Sequence, residues 1–483
     1  MSSIKYEIRG NLLILQQYPL HLYYDLRKVF SYDRIGYDRK LQQRTRTPEI
    51  VGTGFNADGA SINLTDTAIP KTIVTFHGYE YALLKFAAKN KIHVDKIVTK
   101  LTDETVYVPQ WDKLPEDFEF RYMQKEILET MANNTGGIIV AATGFGKGEI
   151  AGIMPLVFPQ ARILMCSFRQ QVYSTLADRV RKYVLPSTKL FIQKPGKSVT
   201  QSAVQQARIV VCGNKSLPKI LGYSDDYDFV ILDEVHTAAT NDTFRIVSSL
   251  IKPRIFGFTA SPNRADGGQF RLLGLCGPKL MEIDMKKAVE KGLVVPVKVK
   301  WCPVDLQYDP TAKCHIAYKK HRGIWYNAVR NKLIAGAALT YDADTQVLII
   351  VETIKHAFAL KAMLPEYKVI SSETPDLDRS RNAFKKGTLK KVISTGVWKE
   401  GVDFPSLTVL INATGVKSEI SNIQLTGRVS RTDKDKTQGT IYDFYDNWNY
   451  EFKYFASERK KLYDKQGYTQ EEVTPTELLK NIV

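Results

Sequence analysis

The feature that most constrains this chain is a repeated pattern of short, unbroken apolar runs, each followed by a stretch with helical spacing. From Phe118 onward the runs fall at 137–141, 162–166, 207–211, 229–232 and 254–258. After a pause near 292–300 they resume at 346–351, 368–370, 392–394, 408–413 and 440–444. A run without polar alternation is a strand covered on both faces, as in a parallel sheet flanked by helices. Two such sets predict an α/β chain with two parallel-sheet lobes in tandem, residues 116–290 and 295–447. Residues 1–110 read as a small α/β N-terminal domain, with strands near 11–15 and 72–76 and a helix over 79–88. Two prolines bound a linker at 109–115. Residues 448–483 read as a short, basic helical tail, with Lys453, Arg459, Lys460, Lys461 and Lys465 on a solvated face. At 483 residues, several cores are needed.

Charge narrows the partners. Lys and Arg number 68 against 51 Asp and Glu, a formal charge of +17. Such a surplus suits a polyanion, of which nucleic acid is the commonest. The rival reading is a merely soluble basic protein. The cysteines Cys166, Cys212, Cys276, Cys302 and Cys314 form no CxxC pair, so reduced thiols in the cytoplasm are expected, without structural zinc. No signal peptide or stretch long enough to span a membrane is visible.

Two motifs carry chemistry. A strand leads into Ala142-Thr143-Gly144-Phe145-Gly146-Lys147-Gly148. Glycines let backbone N–H groups turn onto phosphate, Lys147 reaches the terminal phosphates, and a helix N-terminus adds its dipole. The hydroxyl residue that usually follows the lysine and binds Mg²⁺ is here Gly148, and the next residue, Glu149, would repel phosphate. Further on, a buried strand ends in Asp233-Glu234-Val235-His236. Asp233 suits Mg²⁺ held through water, and Glu234 suits the polarising of an attacking water. The alternative is a solvated acidic turn.

Here the chain resembles superfamily 2 DExH-box helicases. Phe120-Arg121-Tyr122-Met123-Gln124 looks like their adenine-reading motif, and Asp233–His236 matches the DExH box. Thr259-Ala260-Ser261-Pro262 looks like the motif coupling ATP state to the nucleic-acid path. The stretch from Ser394 through Thr395, Trp398, Lys399, Gly401 and Asp403 looks like motif V, and Gln424-Leu425-Thr426-Gly427-Arg428-Val429-Ser430-Arg431 fits QxxGRxxR. Residues near 259–267, 277–278, 292–296 and the tail are similar to the XPB/RadD-related group. Size and the small N-terminal domain are closest to phage UvsW-like recombination and branch-migration helicases.

The resemblance implies two RecA-like lobes, ATP and Mg²⁺ as cofactors, and 3′-to-5′ motion on branched DNA: forks, Holliday junctions and R-loops. It assigns ATP contact to Arg121, Gln124, Thr143, Gly144, Phe145, Gly146, Lys147, Gly148, Gly401 and Asp403. Coupling falls to His236, Thr259 and Ser261. Arg428 and Arg431, three apart and so on one face if helical, reach across a cleft as fingers on the γ-phosphate, and Gln424 helps to position the water or phosphate. The rival reading of the arginines is surface ion pairing. Nucleic-acid contact is expected in loops after strands: Ser167, Arg169, Gln171, Lys215, Ser216, Thr353, Lys355, His356, Thr395 and Lys399. Trp398 either stacks on a base or caps the core. In the N-terminal domain Arg39, Lys40, Arg44 and Arg46 interleave with tyrosines, which suits duplex contact or a charged face over a Tyr-rich core.

The reading is therefore a DNA-stimulated ATPase and helicase of recombination, repair and replication, with branched DNA as partner. Single-strand-binding or recombination proteins are further partners, and a monomer in the host cytoplasm is expected. The alternatives are an RNA or RNA–DNA helicase, and a non-hydrolysing DNA-binding or annealing protein whose ATP site has degenerated at Gly148.

Overall fold

The computed structural model describes residues 3–9, 12–38, 43–50, 72–98, 105–141, 144–168, 170–194, 196–239, 246–247, 254–260, 267–283, 285–398, 404–415, 426–434 and 436–482. They separate into two compact units: Met1–Ala141 with Gly146–Glu282, and Ala142–Phe145 with Ile283–Val483.

The first unit opens with β1 (Ser3–Arg9) and β2 (Leu12–Gln17), which pair antiparallel. A separate hairpin follows, made of β3 (Ser31–Asp38) and β4 (Gln43–Ile50). β5 (Ile73–Phe76) and β6 (His93–Ile97) complete a sheet of order β5-β2-β1-β6. Its inner side chains, among them Ile4, Leu13 and Leu15, together with Leu26 and Phe30 from the helix Tyr23–Val29 and its cap, belong to the same apolar core as the sheet that follows. The join is tight. Tyr79 stacks on Phe270 at 4.8 Å between ring centres, and its hydroxyl donates to the Phe270 carbonyl at 3.0 Å. A Cβ on Gly274 would lie 2.6 Å from the Tyr79 ring, so the helix Gln269–Cys276 approaches this closely only because that position is glycine. The expected linker is also packed: Gln110 N–H donates to the Val157 carbonyl at 2.9 Å, and Trp111 meets Phe120 edge-on.

The main sheet of this unit holds β7 (Gly136–Ala141), β8 (Ile163–Ser167), β9 (Leu190–Ile192), β10 (Ile209–Gly213), β11 (Phe229–Asp233), β12 (Ile255–Thr259) and β13 (Lys279–Ile283). Among the described residues their order is β13-β7-β12-β11-β8-β10-β9. The pairings from β7 through β9 are parallel. Parallel order brings every carboxyl end to one edge, where ligands bind in open α/β sheets.

The second unit repeats the design with β14 (Val297–Val304), β15 (Val347–Ile350), β16 (Lys368–Ile370), β17 (Lys391–Ser394), β18 (Val409–Asn412), β19 (Gly439–Asp446) and β20 (Thr469–Glu472). The order is β16-β17-β15-β18-β19-β14-β20, parallel throughout. β14 occupies the stretch where the apolar pattern pauses, because lysines alternate with its buried residues. The C-terminal stretch is helical over Tyr450–Lys465 but then adds β20 to the sheet. One expectation fails on this helix. Arg459 is not on a solvated face: it is 1% exposed and grips Asp443 through two nitrogens at 3.0 and 2.9 Å. Tyr463 and Asn412 donate to the same carboxylate at 2.7 and 3.0 Å. A buried charge with all its partners is stable, whereas removing one partner costs about 3–5 kcal/mol.

Candidate nucleotide and nucleic-acid sites

The phosphate loop begins where β7 ends. Gly144 and Gly146 have φ of +92° and +96°, a backbone region that glycine enters without strain. The helix Lys147–Val157 starts directly after, so its first N–H groups face the loop. Lys147 Nζ donates to the Ala141 carbonyl at 2.6 Å and lowers the pKa of Asp233 by its charge. On the other flank Gln124 is buried, and its Oε1 accepts from the Arg121 N–H at 3.0 Å. Its Nε2 is buried without a hydrogen-bond partner, and a Cβ on Gly146 would lie only 2.7 Å from it. A buried amide donor left open beside a phosphate loop fits a ligand such as a nucleotide base. Phe145 is fully buried, and the Arg121 side chain is exposed.

The acidic pair closes this edge. Asp233 is the last residue of β11, in register with Ser167 of β8 and Phe258 of β12. Burial first, and the Glu234 carboxylate second, push its carboxyl up to about 7, against the pull of Lys147 and of the Glu234 N–H. That is the electrostatic demand a divalent cation would meet. Glu234 has φ +54°, an uncommon conformation for a residue with a side chain. Its Oε2 lies 3.3 Å from His236 Nδ1, which is also 3.0 Å from the Thr259 hydroxyl. The acidic box and the end of β12 are thus joined by one buried imidazole. Among the described residues no cluster of three or more His, Cys, Asp or Glu could hold a metal ion.

The departure at Gly148 leaves room for a neighbouring arginine. A Cβ there would lie 3.0 Å from Arg179 Cδ, on the helix Gln170–Tyr183. The expected repulsion from Glu149 is overturned, because this carboxylate is spent on the same helix. It accepts from Arg179 and Tyr183 and lies 3.4 Å from Lys182. Burial raises its pKa, but the Tyr183 hydroxyl, Arg179 and Lys182 outweigh that and hold it below its ordinary value.

In the second unit, Arg428 and Arg431 do not share a helix face. Residues 427–430 form a turn, and Arg431 pairs by its backbone with Val294 in an isolated bridge. Arg428 is buried and Arg431 half-buried. Glycine at 427 favours this turn over a continued helix.

The nucleic-acid candidates divide. Lys215 and Lys355 are exposed, and Ser216 is half-buried. Four others are corrected. Ser167 is fully buried at the centre of the sheet edge, between β10 and β11. His356 is fully buried, with Nε2 3.0 Å from the Asn331 Oδ1. Trp398 is 2% exposed and packs on Phe384 and Phe404, so it caps the core and offers no face to a base. Thr395 is 7% exposed, with its N–H bound to the Ile370 carbonyl. Thr353 accepts from the His356 N–H as a helix cap. In the N-terminal hairpin Arg46 is exposed, and Arg44 lies on β4 with its side chain outside the described residues. Gln171 lies in the helix Gln170–Tyr183, again with its side chain outside them. Thr143, Arg169, Ser261, Lys399, Gly401, Asp403, Gln424, Arg39 and Lys40 lie outside the described residues.

Sequence reasoning missed the Glu149 cluster and the cation-rich stretch 305–327. The second was legible, since Tyr318-Lys319-Lys320-His321-Arg322 precedes Trp325-Tyr326.

Comparison with known proteins bears on this geometry. Residues 117–264 match the family model described as type III restriction enzyme, res subunit, and residues 329–433 match the helicase conserved C-terminal domain. The DNA 3′-5′ helicase XPB of Kineococcus radiotolerans is 24% identical over 74% of this chain and 65% of its own length. The ATP-dependent DNA helicase uvsW of Enterobacteria phage T4 is 25% identical over 68% of each. The chain spans about half to two thirds of the length of the first curated relatives it matches. In fold it is similar to the type ISP restriction-modification enzyme LlaBIII, with TM-score 0.55 and 13% identity over 80% of this chain and 34% of that one. With both family models matched in order on two tandem parallel-sheet lobes, the chain is a superfamily 2 helicase related to UvsW and XPB.

Proposed function

We propose that this protein hydrolyses ATP to move along DNA, remodelling branched substrates such as forks, four-way junctions and R-loops. The observation that carries the reading is the first sheet's edge: a phosphate loop with two left-handed glycines, Lys147, and the Asp233–Glu234–His236–Thr259 chain of contacts. In this reading Gln124 reads the base and Lys147 holds the terminal phosphates. Asp233 carries the Mg²⁺ through water, and Glu234 orients the attacking water. Arg428 and Arg431 supply positive charge to the transition state. His236 passes the state of Glu234 to Thr259 and so to the loop after β12. The N-terminal sheet with its hairpin is an accessory domain gripping duplex near a branch, through Arg39, Lys40, Arg44 and Arg46. Translocation in the 3′-to-5′ direction, a monomeric state, partner recombination proteins and a cytoplasmic setting belong to the same proposal. Among the described residues no helix is long and apolar enough to cross a membrane.

The test is a panel of forks, four-way junctions, R-loops and linear duplexes, scored for ATP-dependent product. The proposal expects product from branched DNA, reduced when the four hairpin cations are neutralised, with a steeper salt dependence in the wild type. Product only from RNA duplexes, or strand annealing that needs no ATP, would refute it.

A further inference from the structure

Between β14 and the helix Ala328–Leu339 the chain makes a detour over residues 305–327. Its path follows the carboxyl ends of the strands. Asn447 and Asn449, just after β19, donate to Asp305 and Asp309 at 2.5 and 2.7 Å. A Cβ on Gly415, just after β18, would lie 3.1 Å from Ile324. Trp325 Nε1 and Lys320 Nζ both donate to Glu352, just after β15, at 3.2 and 3.1 Å. The detour therefore ends beside Thr353 and Lys355.

Its composition is one-sided. From residue 310 to 341 there is no Asp or Glu, against Lys313, Lys319, Lys320, Arg322, Arg330 and Lys332. Arg330, Lys319 and Lys320 are consumed by ion pairs with Asp446, Glu451 and Glu352. Lys313, Arg322 and Lys332 are exposed and have no ion pair among the described residues. Along the same stretch of chain Tyr308, Tyr318 and Tyr326 stand 73%, 62% and 43% exposed. His321 lies over Tyr326 at 4.4 Å. Residues His321–Trp325 form a π-helical turn, a rare conformation frequent at functional sites.

Exposed rings among uncompensated cations match a ligand with both phosphates and open base faces, which is single-stranded nucleic acid. Duplex hides its base faces, and an acidic protein surface would leave the rings unused. We infer that residues 313–332 form a single-strand contact on the second lobe, with bases stacked on Tyr318 and Tyr326 and phosphates held by Lys313 and Arg322. This rests on the nucleic-acid reading above and adds a contact outside the motifs that carry it.

The experiment uses the full chain and fluorescein-labelled oligo-dT, read by anisotropy. The double variant Tyr318→Ala/Tyr326→Ala should bind at least roughly thirty-fold more weakly, at about 1 kcal/mol or more for each lost stack. Tyr318→Phe/Tyr326→Phe should restore binding, because stacking needs the ring and not the hydroxyl. Arg322→Ala should lower the slope of log affinity against log salt by about one. ATP turnover without nucleic acid, and the thermal midpoint, should match wild type in every variant. Alanine variants that bind as tightly as wild type would overturn the inference, as would phenylalanine variants as weak as alanine. Wild-type binding to duplex but not to oligo-dT would overturn the single-strand assignment alone. Binding to neither would overturn the nucleic-acid reading itself.

Discussion

The carboxyl edge of the first sheet ends in Lys147, Asp233 and Glu234, while that of the second ends beneath a cation-rich detour pinned to Glu352. Both edges come from parallel strands in similar order, yet their buried charges are managed differently. In the first, half-buried Asp233 stands next to a second carboxylate, and desolvation first and that carboxylate second push it up to about 7. In the second, Asp443 is buried among Arg459, Tyr463 and Asn412, each donating to it. An acid held beside a second carboxylate has charge left for a cation to balance, whereas one surrounded by donors is a rivet. On the proposed function, the contrast separates an edge suited to chemistry on phosphate from one that holds shape under the proposed binding surface.

The strongest way to break this contrast is Lys147→Ala. The lysine faces phosphate in the proposed mechanism, and the nucleic-acid grip is spread elsewhere. ATP turnover should be abolished with oligonucleotide affinity little changed, measured by phosphate release and anisotropy. Near wild-type turnover would show that the loop is not a phosphate site.

Next in size are Arg428→Ala and Arg431→Ala. Losing charge that acts only in the transition state lowers turnover on the order of 10³-fold. ATP affinity should fall far less, as read by nucleotide titration. A large loss of affinity at unchanged turnover would make them ground-state ligands.

Gly148→Thr sharpens the comparison from the first edge. The new Cβ would crowd Arg179, which holds Glu149. Turnover should stay level or fall, and the Mg²⁺ concentration for half-maximal activity should not drop. A marked gain in activity would mean that the missing hydroxyl limits the wild type.

The smallest effect probes the second edge. Burial first, and Arg330's charge second, hold His356 down to about 3 from 6.5. The unfolded chain takes up a proton there that the folded chain refuses, so stability is lost as pH falls through 6.5 toward 3. His356→Gln keeps an N–H for Asn331 and removes the titration. Its urea midpoint should fall less than wild type's between about pH 7 and about pH 5. Equal falls would mean that other groups carry the acid sensitivity.

Much of this was legible in the sequence, for physical reasons. Central strands such as β7, β11, β15 and β18 are apolar on both faces, so their runs stand out. β14 was hidden by Lys298 and Lys300, and β20 by its glutamates, because edge-side strands tolerate charge. The glycine turn after β7 and the end of β11 at Asp233 were legible because closely spaced glycines break a strand and an apolar run closed by acids marks its end. The loop candidates were not. Ser167, His356 and Trp398 have nucleic-acid chemistry in their side chains, but tertiary packing buried all three. Nor could spacing alone show that Gly427 turns the chain before Arg431, or that Arg459 points inward to Asp443.

The central claim is that ATP hydrolysis on the first edge is driven by DNA bound elsewhere on the chain. It is tested most directly by phosphate release from Mg-ATP, with and without DNA, on the full-length chain. The account predicts low release alone, a several-fold rise on adding DNA, and none of that rise in Lys147→Ala. Release that is equal with and without DNA, or absent in both, would contradict it.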